Sequence, residues 1–330
     1  MRRRWKQIII GATVLSLTAA LASFLPWRFW PFEIAASFRV QAVSICLVSA
    51  GAALLLRMRI WATLGAVVAL AQIGLLVPHF VSAHGGDSGA GPDTRLGREV
   101  TVLTLNLNHA NRNARGVIEM IRREKPDIVA LQEASHWWHE QLRSLGDEYP
   151  FRTFDRLTPR SGVGVLSRIE PAAEEWRCFD GRAFVELTFE EKNLSFRFTA
   201  LHTLPPKTPF TYAARNRQLD RTALWIAGEG AGPAIAAGDM NSTPWSPVLR
   251  DFERTTGLTS VREGHGTLPT WPSWGMWIGV PIDHIFHSDH FRTEYVLPVK
   301  IPGSDHRALL ARLRRVTETK ERVPSLPSLL

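Results

Sequence analysis

Six polar signatures in the latter two thirds of the chain stand at the ends of apolar stretches, and their residue types share one chemistry. Asn106 and Asn108 close Val100–Leu107, Glu133 follows Val129-Ala130-Leu131-Gln132, and His202 ends Phe198-Thr199-Ala200-Leu201. Asp239 and Asn241 follow Ala234–Gly238, Asp283 and His284 lie within Pro281–Phe286, and Ser304-Asp305-His306 precedes a last apolar run. One Asp or Asn in such a place is ordinarily a turn or cap residue, and one His is ordinarily a surface or hydrogen-bonded core residue. Six such places in one domain ask for a chemical reading. Carboxylates and amides without cysteine suit a hard divalent cation, which prefers oxygen ligands. Histidines beside acids suit proton transfer and stabilisation of a charged transition state. Zinc is disfavoured, since there is no HExxH and His284, His287 and His290 are spaced for a strand and turn.

The elements that carry these residues alternate between strands and helices. Strands are predicted at Val100–Leu107, Ile128–Gln132, Gly162–Leu166, Phe184–Phe189, Leu194–Leu201, Ala234–Ala237, Ile282–Phe286 and Ala308–Leu313, with helices at Ala114–Glu124, His136–Leu145 and Tyr212–Ala227. Many strands with few crossover helices argue for packed sheets with outer helices, against a doubly wound parallel sheet. Cys46 and Cys178 are far apart in sequence, and no disulfide is expected.

In order and context, Thr104-Leu105-Asn106, Leu131-Gln132-Glu133, Gly238-Asp239-Met240-Asn241, Ile282-Asp283-His284-Ile285 and Ser304-Asp305-His306 resemble the endonuclease/exonuclease/phosphatase superfamily, from Val100 to Leu313. The resemblance implies an α+β fold, a four-layered α/β-sandwich of two packed, mainly antiparallel sheets flanked by helices. It implies Mg²⁺ or Mn²⁺ held by Glu133, with Asp305 and Asn106 close to the ion. It casts Asp239 as the group that orients or deprotonates the attacking water and Asn241 as a phosphate holder. His306 would contact the phosphoryl oxygen while paired with Asp283, and His202 is the candidate acid for the leaving oxygen. Asn108 falls where the abasic-site branch has an acid. The reaction implied is in-line attack of water on phosphorus, without a covalent enzyme intermediate.

The first 95 residues differ in kind. They carry nine Lys/Arg against three acids, whereas the remaining residues have 30 basic and 28 acidic groups, so the net charge of +8 belongs chiefly to the N-terminal segment. Ile8–Leu25, Val40–Leu56 and Ile60–Val77 each approach the roughly 17–25 residues that cross a bilayer as a helix. Three transmembrane helices are therefore expected. Arg2, Arg3, Arg4 and Lys6 before the first run, and Arg57 and Arg59 between the second and third, face the cytoplasm by the positive-inside rule. The turn with Trp27, Arg28, Phe29, Trp30 and Glu33 then lies outside, its aromatics among the headgroups, and the catalytic domain is extracytoplasmic. The organisation expected is a membrane segment at 1–82, a flexible linker at 83–98, a catalytic domain at 99–315 and a disordered tail at 316–330, in a multi-pass protein of the bacterial plasma membrane.

Membrane anchoring beside these motifs resembles a bacterial subgroup that includes glycopeptide-resistance-type proteins, a likeness that implies undecaprenyl diphosphate or a related lipid phosphate as substrate. The bilayer and this substrate are then the partners. Trp271, Trp274 and Trp277, just before Asp283, either sit beside the pocket at the membrane interface or pack as satellite core. Arg215, Arg217 and Arg221 either reach phosphate or form a solvated helix face. The substrate contacts expected are Asn108, Arg215, Trp271, Trp274 and Trp277. An extracytoplasmic nuclease is the alternative within the fold, opposed by the near-neutral charge of the globular part. A binding or sensing module without catalysis is the alternative of another class.

Overall fold

Both faces of the strand at residues 100–106 are buried, but in different places. Val100 and Val102 enter one apolar cluster, while Leu103 and Leu105 enter another. That pattern belongs to a sheet covered on both sides. The computed structural model describes residues 2–24, 28–81, 95–155, 162–191, 194–230 and 232–317. Four helices come first: α1 (Arg2–Phe24), α2 (Trp30–Ser37), α3 (Arg39–Leu55) and α4 (Arg59–Phe80). Then follow β1 (Arg95–Asn106), α5 (Ala114–Glu124), β2 (Ile128–Gln132), α6 (His136–Gln141), β3 (Phe151–Phe154), β4 (Gly164–Ser167), β5 (Ala173–Phe179), β6 (Arg182–Glu191) and β7 (Leu194–His202). The chain continues through α7 (Pro209–Gly228), β8 (Ala234–Asp239), α8 (Pro247–Thr256), β9 (Thr259–Ser260), β10 (Asp283–His287), β11 (Phe291–Lys300) and β12 (Arg307–Thr317).

The strands form two six-stranded sheets, ordered β11-β12-β1-β2-β4-β3 and β5-β6-β7-β8-β10-β9. Each sheet is mixed, with one parallel pair, β1 with β2 and β7 with β8, among antiparallel neighbours. The parallel pairs need crossovers, and α5 and α7 supply them. Between the sheets lie Val100, Val102, Ile128, Ala130 and Val165 from one side and Val185, Leu187, Phe198, Ala200, Ile235, Ala237 and Ile285 from the other. The outer faces are covered by α5 and α6 on the first sheet and by α7 and α8 on the second. The expected α+β sandwich is therefore present.

The edges differ from expectation. β1 opens at Arg95 and pairs Arg95 with Thr317 and Leu96 with Val316, so ladder extends into the stretches assigned to linker and tail. The remainder of those stretches, 83–94 and 318–330, lies outside the described residues. β3, β5, β11 and α8 had no expectation. β5 and β11 are edge strands with largely exposed or half-buried side chains, which weakens the apolar signal.

Three membrane spans are not supported. Among the described residues one helix, α4, is long and apolar enough to cross a bilayer, with mean hydropathy 2.1. A second span arises only if α2 and α3 count as one, and they meet at 67°. The bend follows from Phe38, whose φ of −94° and ψ of 30° leave helical geometry between them. The turn expected among lipid headgroups also contacts the hydrolase fold. Arg28 reaches Asp220 and Asp251 at 2.6 and 2.7 Å, and Trp30 Nε1 donates to the Pro206 carbonyl at 2.8 Å. Trp245 is buried among Ala36, Val43 and Leu76 and donates to the Ala36 carbonyl at 2.6 Å. Phe29 stays exposed, and Trp27 lies outside the described residues.

Candidate active site

Period-two alternation aims the strand-end polar residues into one crevice. On β1 the inward positions are Val100, Val102, Thr104 and then Asn106; on β7, β8 and β10 the same parity gives His202, Asp239 and Asp283. Register completes the arrangement. His202 pairs with Asp239 and Asp239 with Asp283 across three adjacent strands, while Asn106 pairs with Gln132 in the facing sheet. His306 immediately precedes β12, which runs antiparallel to β1 and so begins at the same end. Backbone geometry adjusts the aim. Asn108, Glu133 and Asn241 have φ of 57°, 53° and 48° without being glycine, a cost that gathers at functional sites. Gly238 must be glycine, because a Cβ there would collide with the Leu201 carbonyl oxygen.

The contacts form one network. Asn106 Nδ2 donates to Glu133 Oε1 at 3.3 Å and to Asp239 Oδ2 at 3.0 Å. His306 Nδ1 donates to Asp283 Oδ2 at 2.9 Å, and its Nε2 lies 3.9 Å from Asp239 Oδ2; His202 Nε2 lies 3.8 Å from the same oxygen. Asn241 donates its backbone N–H to Asp239 Oδ1 at 2.9 Å and its amide to the Thr203 carbonyl at 3.0 Å. Asp305 accepts from Asn108 Nδ2 at 2.8 Å and from Trp271 Nε1 at 3.1 Å.

Burial and neighbouring charge separate the titrations. Burial, and then the charge of Asp283, push the Asp239 carboxyl up to about 7. Burial also opposes the His306 imidazolium, but the Asp283 carboxylate outweighs it and lifts the ring to about 10. Asp283 is held below the usual carboxylate range: burial works against its charge, and the His306 partner prevails. Burial likewise opposes the Glu133 charge, yet the His109 backbone N–H and ring hold that carboxyl down.

Asp239, Asp283 and His306 offer ligand atoms within 4.8 Å of one another. His306 and Asp283 are already joined through Nδ1 and Oδ2, which favours acid–base work over metal binding there. Glu133, Asn106 and Asp305 fit a hard cation better, being oxygen donors without sulfur. The Asn106 amide N–H group stands between two carboxylates, the place a cation would take.

The other expected residues lie as follows. Trp271 is on the site through Asp305, while Trp274 and Trp277 are 77% and 93% exposed and do not pack under the sheet. Arg215 is fully buried, neither solvated nor open to a ligand: Nη2 donates to Glu33 Oε1 at 2.5 Å and Nη1 to the Asn241 carbonyl at 2.9 Å. Arg217 and Arg221 are exposed beside Asp180. Sequence reasoning missed His109, whose Nδ1 is 2.8 Å from Glu133 Oε2, and buried Arg182, which feels the charges of Glu133 and Asp239. It also missed the role of Glu33. The signal was there: Glu33 is the only acid in the first 86 residues, and a carboxylate among apolar helices needs a partner.

A model of the endonuclease/exonuclease/phosphatase family matches residues 103–306. No curated protein matches the chain. Among solved structures, D. rerio TDP2 complexed with a single-strand DNA product is similar with TM-score 0.53 and 19% identity, covering 65% of this chain and 98% of that one. The human Nocturnin catalytic domain with bound sulfate has TM-score 0.52 and 20% identity, covering 68% and 97%. An endonuclease/exonuclease/phosphatase protein from Bacteroides vulgatus has TM-score 0.53 and 19% identity, covering 66% and 99%.

Proposed function

The chain belongs to the endonuclease/exonuclease/phosphatase family, of metal-dependent phosphoesterases and nucleases, and from that premise we propose that it is a membrane-anchored hydrolase of a lipid phosphate such as a polyprenyl diphosphate. The observation that carries the reading is where the apolar helices meet the site. The carbonyl of His79, at the end of α4, accepts from Gly266 N at 2.7 Å. Gln41, in the first turn of α3, donates to the carbonyls of Trp277 and Gly279 at 3.3 and 3.1 Å. The same loop supplies Trp271 to Asp305. A span ending there brings the catalytic crevice to the headgroup layer. Arg57 and Arg59 lie at the opposite end of α4, so positive-inside orientation puts the catalytic domain outside the plasma membrane. Among the described residues α4 is long and apolar enough to span by itself, and α3, whose Gln41 end meets the same loop, would run back beside it to the Arg57 side.

In this reading Mg²⁺ or Mn²⁺ would be held by Glu133 with Asn106 and Asp305, and when bound would supply charge stabilisation at the phosphoryl group. Asp239, with its carboxyl near 7, takes the proton of the attacking water at Oδ2. His306 donates through Nε2 to a phosphoryl oxygen while Asp283 fixes Nδ1. His202 covers the leaving oxygen and Asn241 orients the phosphate. Asp305 links this machinery to the Trp271 loop.

The test is phosphate release from a polyprenyl diphosphate in detergent, with Mg²⁺ and then EDTA, comparing the full chain with Asp239→Asn. Release that needs both metal and Asp239 supports the reading. No release from folded protein overturns it and favours a nuclease, the alternative within the family; salt-sensitive DNA binding would then be expected.

A further inference from the structure

We infer that Glu33, in the N-terminal segment, is a positioning residue for the catalytic loop, so that α2 is a structural part of the active site and more than a tether. The inference rests on the reading of Asp239 and Asn241 as catalytic groups. Glu33 is 5% exposed and accepts three hydrogen bonds from the hydrolase fold. Its Oε1 takes Arg215 Nη2 at 2.5 Å and Ser242 Oγ at 3.3 Å, and its Oε2 takes Tyr212 Oη at 3.0 Å. The charge of Arg215, fully buried, has Glu33 as its carboxylate partner. The other arm of that guanidinium holds the Asn241 carbonyl. Asn241 in turn is in the left-handed region and gives its N–H to Asp239 Oδ1.

The line from α2 to the reacting groups is therefore short: Glu33, Arg215, Asn241, Asp239. Each link is a polar contact of 2.5–2.9 Å. A second grip comes from Ser242, which touches Glu33 through Oγ and accepts His284 Nε2 at its carbonyl at 2.8 Å. A backbone held in left-handed geometry relaxes when its carbonyl anchor is lost, and Asn241 would carry the Asp239 carboxylate with it. Seating of Glu33 on Arg215 and alignment of the base are thus one event.

The experiment compares the full chain in detergent with Glu33→Gln, Glu33→Asp and the double variant Glu33→Gln/Arg215→Gln. The double variant removes both buried charges and leaves none uncompensated. Amide hydrogen exchange is read on residues 238–246, together with kcat and KM for bis(p-nitrophenyl) phosphate with Mg²⁺, well below melting. Glu33→Gln is expected to lose protection at 238–246 and about 10- to 100-fold in kcat, the scale of a small misplacement of reacting groups, with KM within about threefold. Glu33→Asp should recover part of both, and the double variant should remain slow and unprotected because Asn241 stays unanchored. Arg28→Gln, which loosens docking without touching Arg215, should keep kcat and protection. Wild-type protection and kcat in Glu33→Gln or in the double variant would overturn the inference, as would equal losses in Arg28→Gln. Absence of hydrolysis by the unaltered chain would count against the functional reading, while exchange at 238–246 would still decide the role of Glu33.

Discussion

Asp239 and Asp283 face each other as register partners across β8 and β10, and only Asp283 has a cation of its own in hydrogen-bond contact, His306 at 2.9 Å. The pair is therefore split into a carboxylate held charged and a carboxyl pushed up to about 7, the value suited to a base near neutrality. Asp283→Asn removes the negative charge that holds the His306 imidazolium and keeps Asp239 basic. We expect kcat to fall about 10²- to 10⁴-fold, the usual contribution of positioned acid–base groups. Steady-state hydrolysis with saturating Mg²⁺ checks this, and a loss smaller than tenfold would break the assignment.

Metal dependence is legible without turnover. If Glu133 holds the cation, Mg²⁺ at about 100 times its dissociation constant stabilises the folded chain by about 2.7 kcal/mol. Glu133→Gln should abolish that rise in melting temperature, and EDTA should remove it from the unaltered protein. An equal Mg²⁺-induced shift in both proteins would relocate the metal site.

Much of this arrangement could be read before the fold was known, because strand-end residues of fixed parity must share a crevice. His202 and Asp239 are of that kind, each the next inward position after two or more apolar ones, and Asn106 and Asp283 share their parity. Arg215 was misjudged because helical spacing does not reveal what covers a helix. Its cover is α2, some 180 residues earlier, and no local pattern encodes a pairing over that separation. The N-terminal runs were read as three spans from apolar content alone. What content does not carry is the break at Phe38 or the polar contacts that hold α2 on the catalytic fold.

His284 gives a pH-dependent stability of definite sign. Burial, and then Arg262, lower its ring to about 3, so it stays neutral, donating from Nε2 to the Ser242 carbonyl and receiving Arg262 at Nδ1, 3.3 Å away. The unfolded ring titrates near 6.5. Its contribution is whole above that pH and is lost as pH falls from 6.5 towards 3, by about 1.4 kcal/mol per unit. Thermal melts of the unaltered chain should therefore steepen below pH 6.5 relative to His284→Gln, whose amide can make both contacts. Parallel pH profiles for the two would refute the assignment.

The exposed tryptophans separate substrate capture from chemistry. Trp274 and Trp277, with half-exposed Ile278 beside them, present apolar surface on the loop that Gln41 ties to α3. Neither indole touches a group of the catalytic network, whereas Trp271 does. Amphipathic rings so placed gain by entering a headgroup layer, where the ring body leaves water and the N–H keeps a partner. The double variant Trp274→Ser/Trp277→Ser should then raise KM for a polyprenyl diphosphate in mixed micelles about tenfold. For a water-soluble phosphodiester, kcat should be unchanged, because exposed substitutions alter stability by about 0.5 kcal/mol or less. Equal losses on both substrates would mean that the loop supports Asp305 through Trp271 and does not read the membrane. Unchanged kinetics on both would remove the tryptophans from the mechanism.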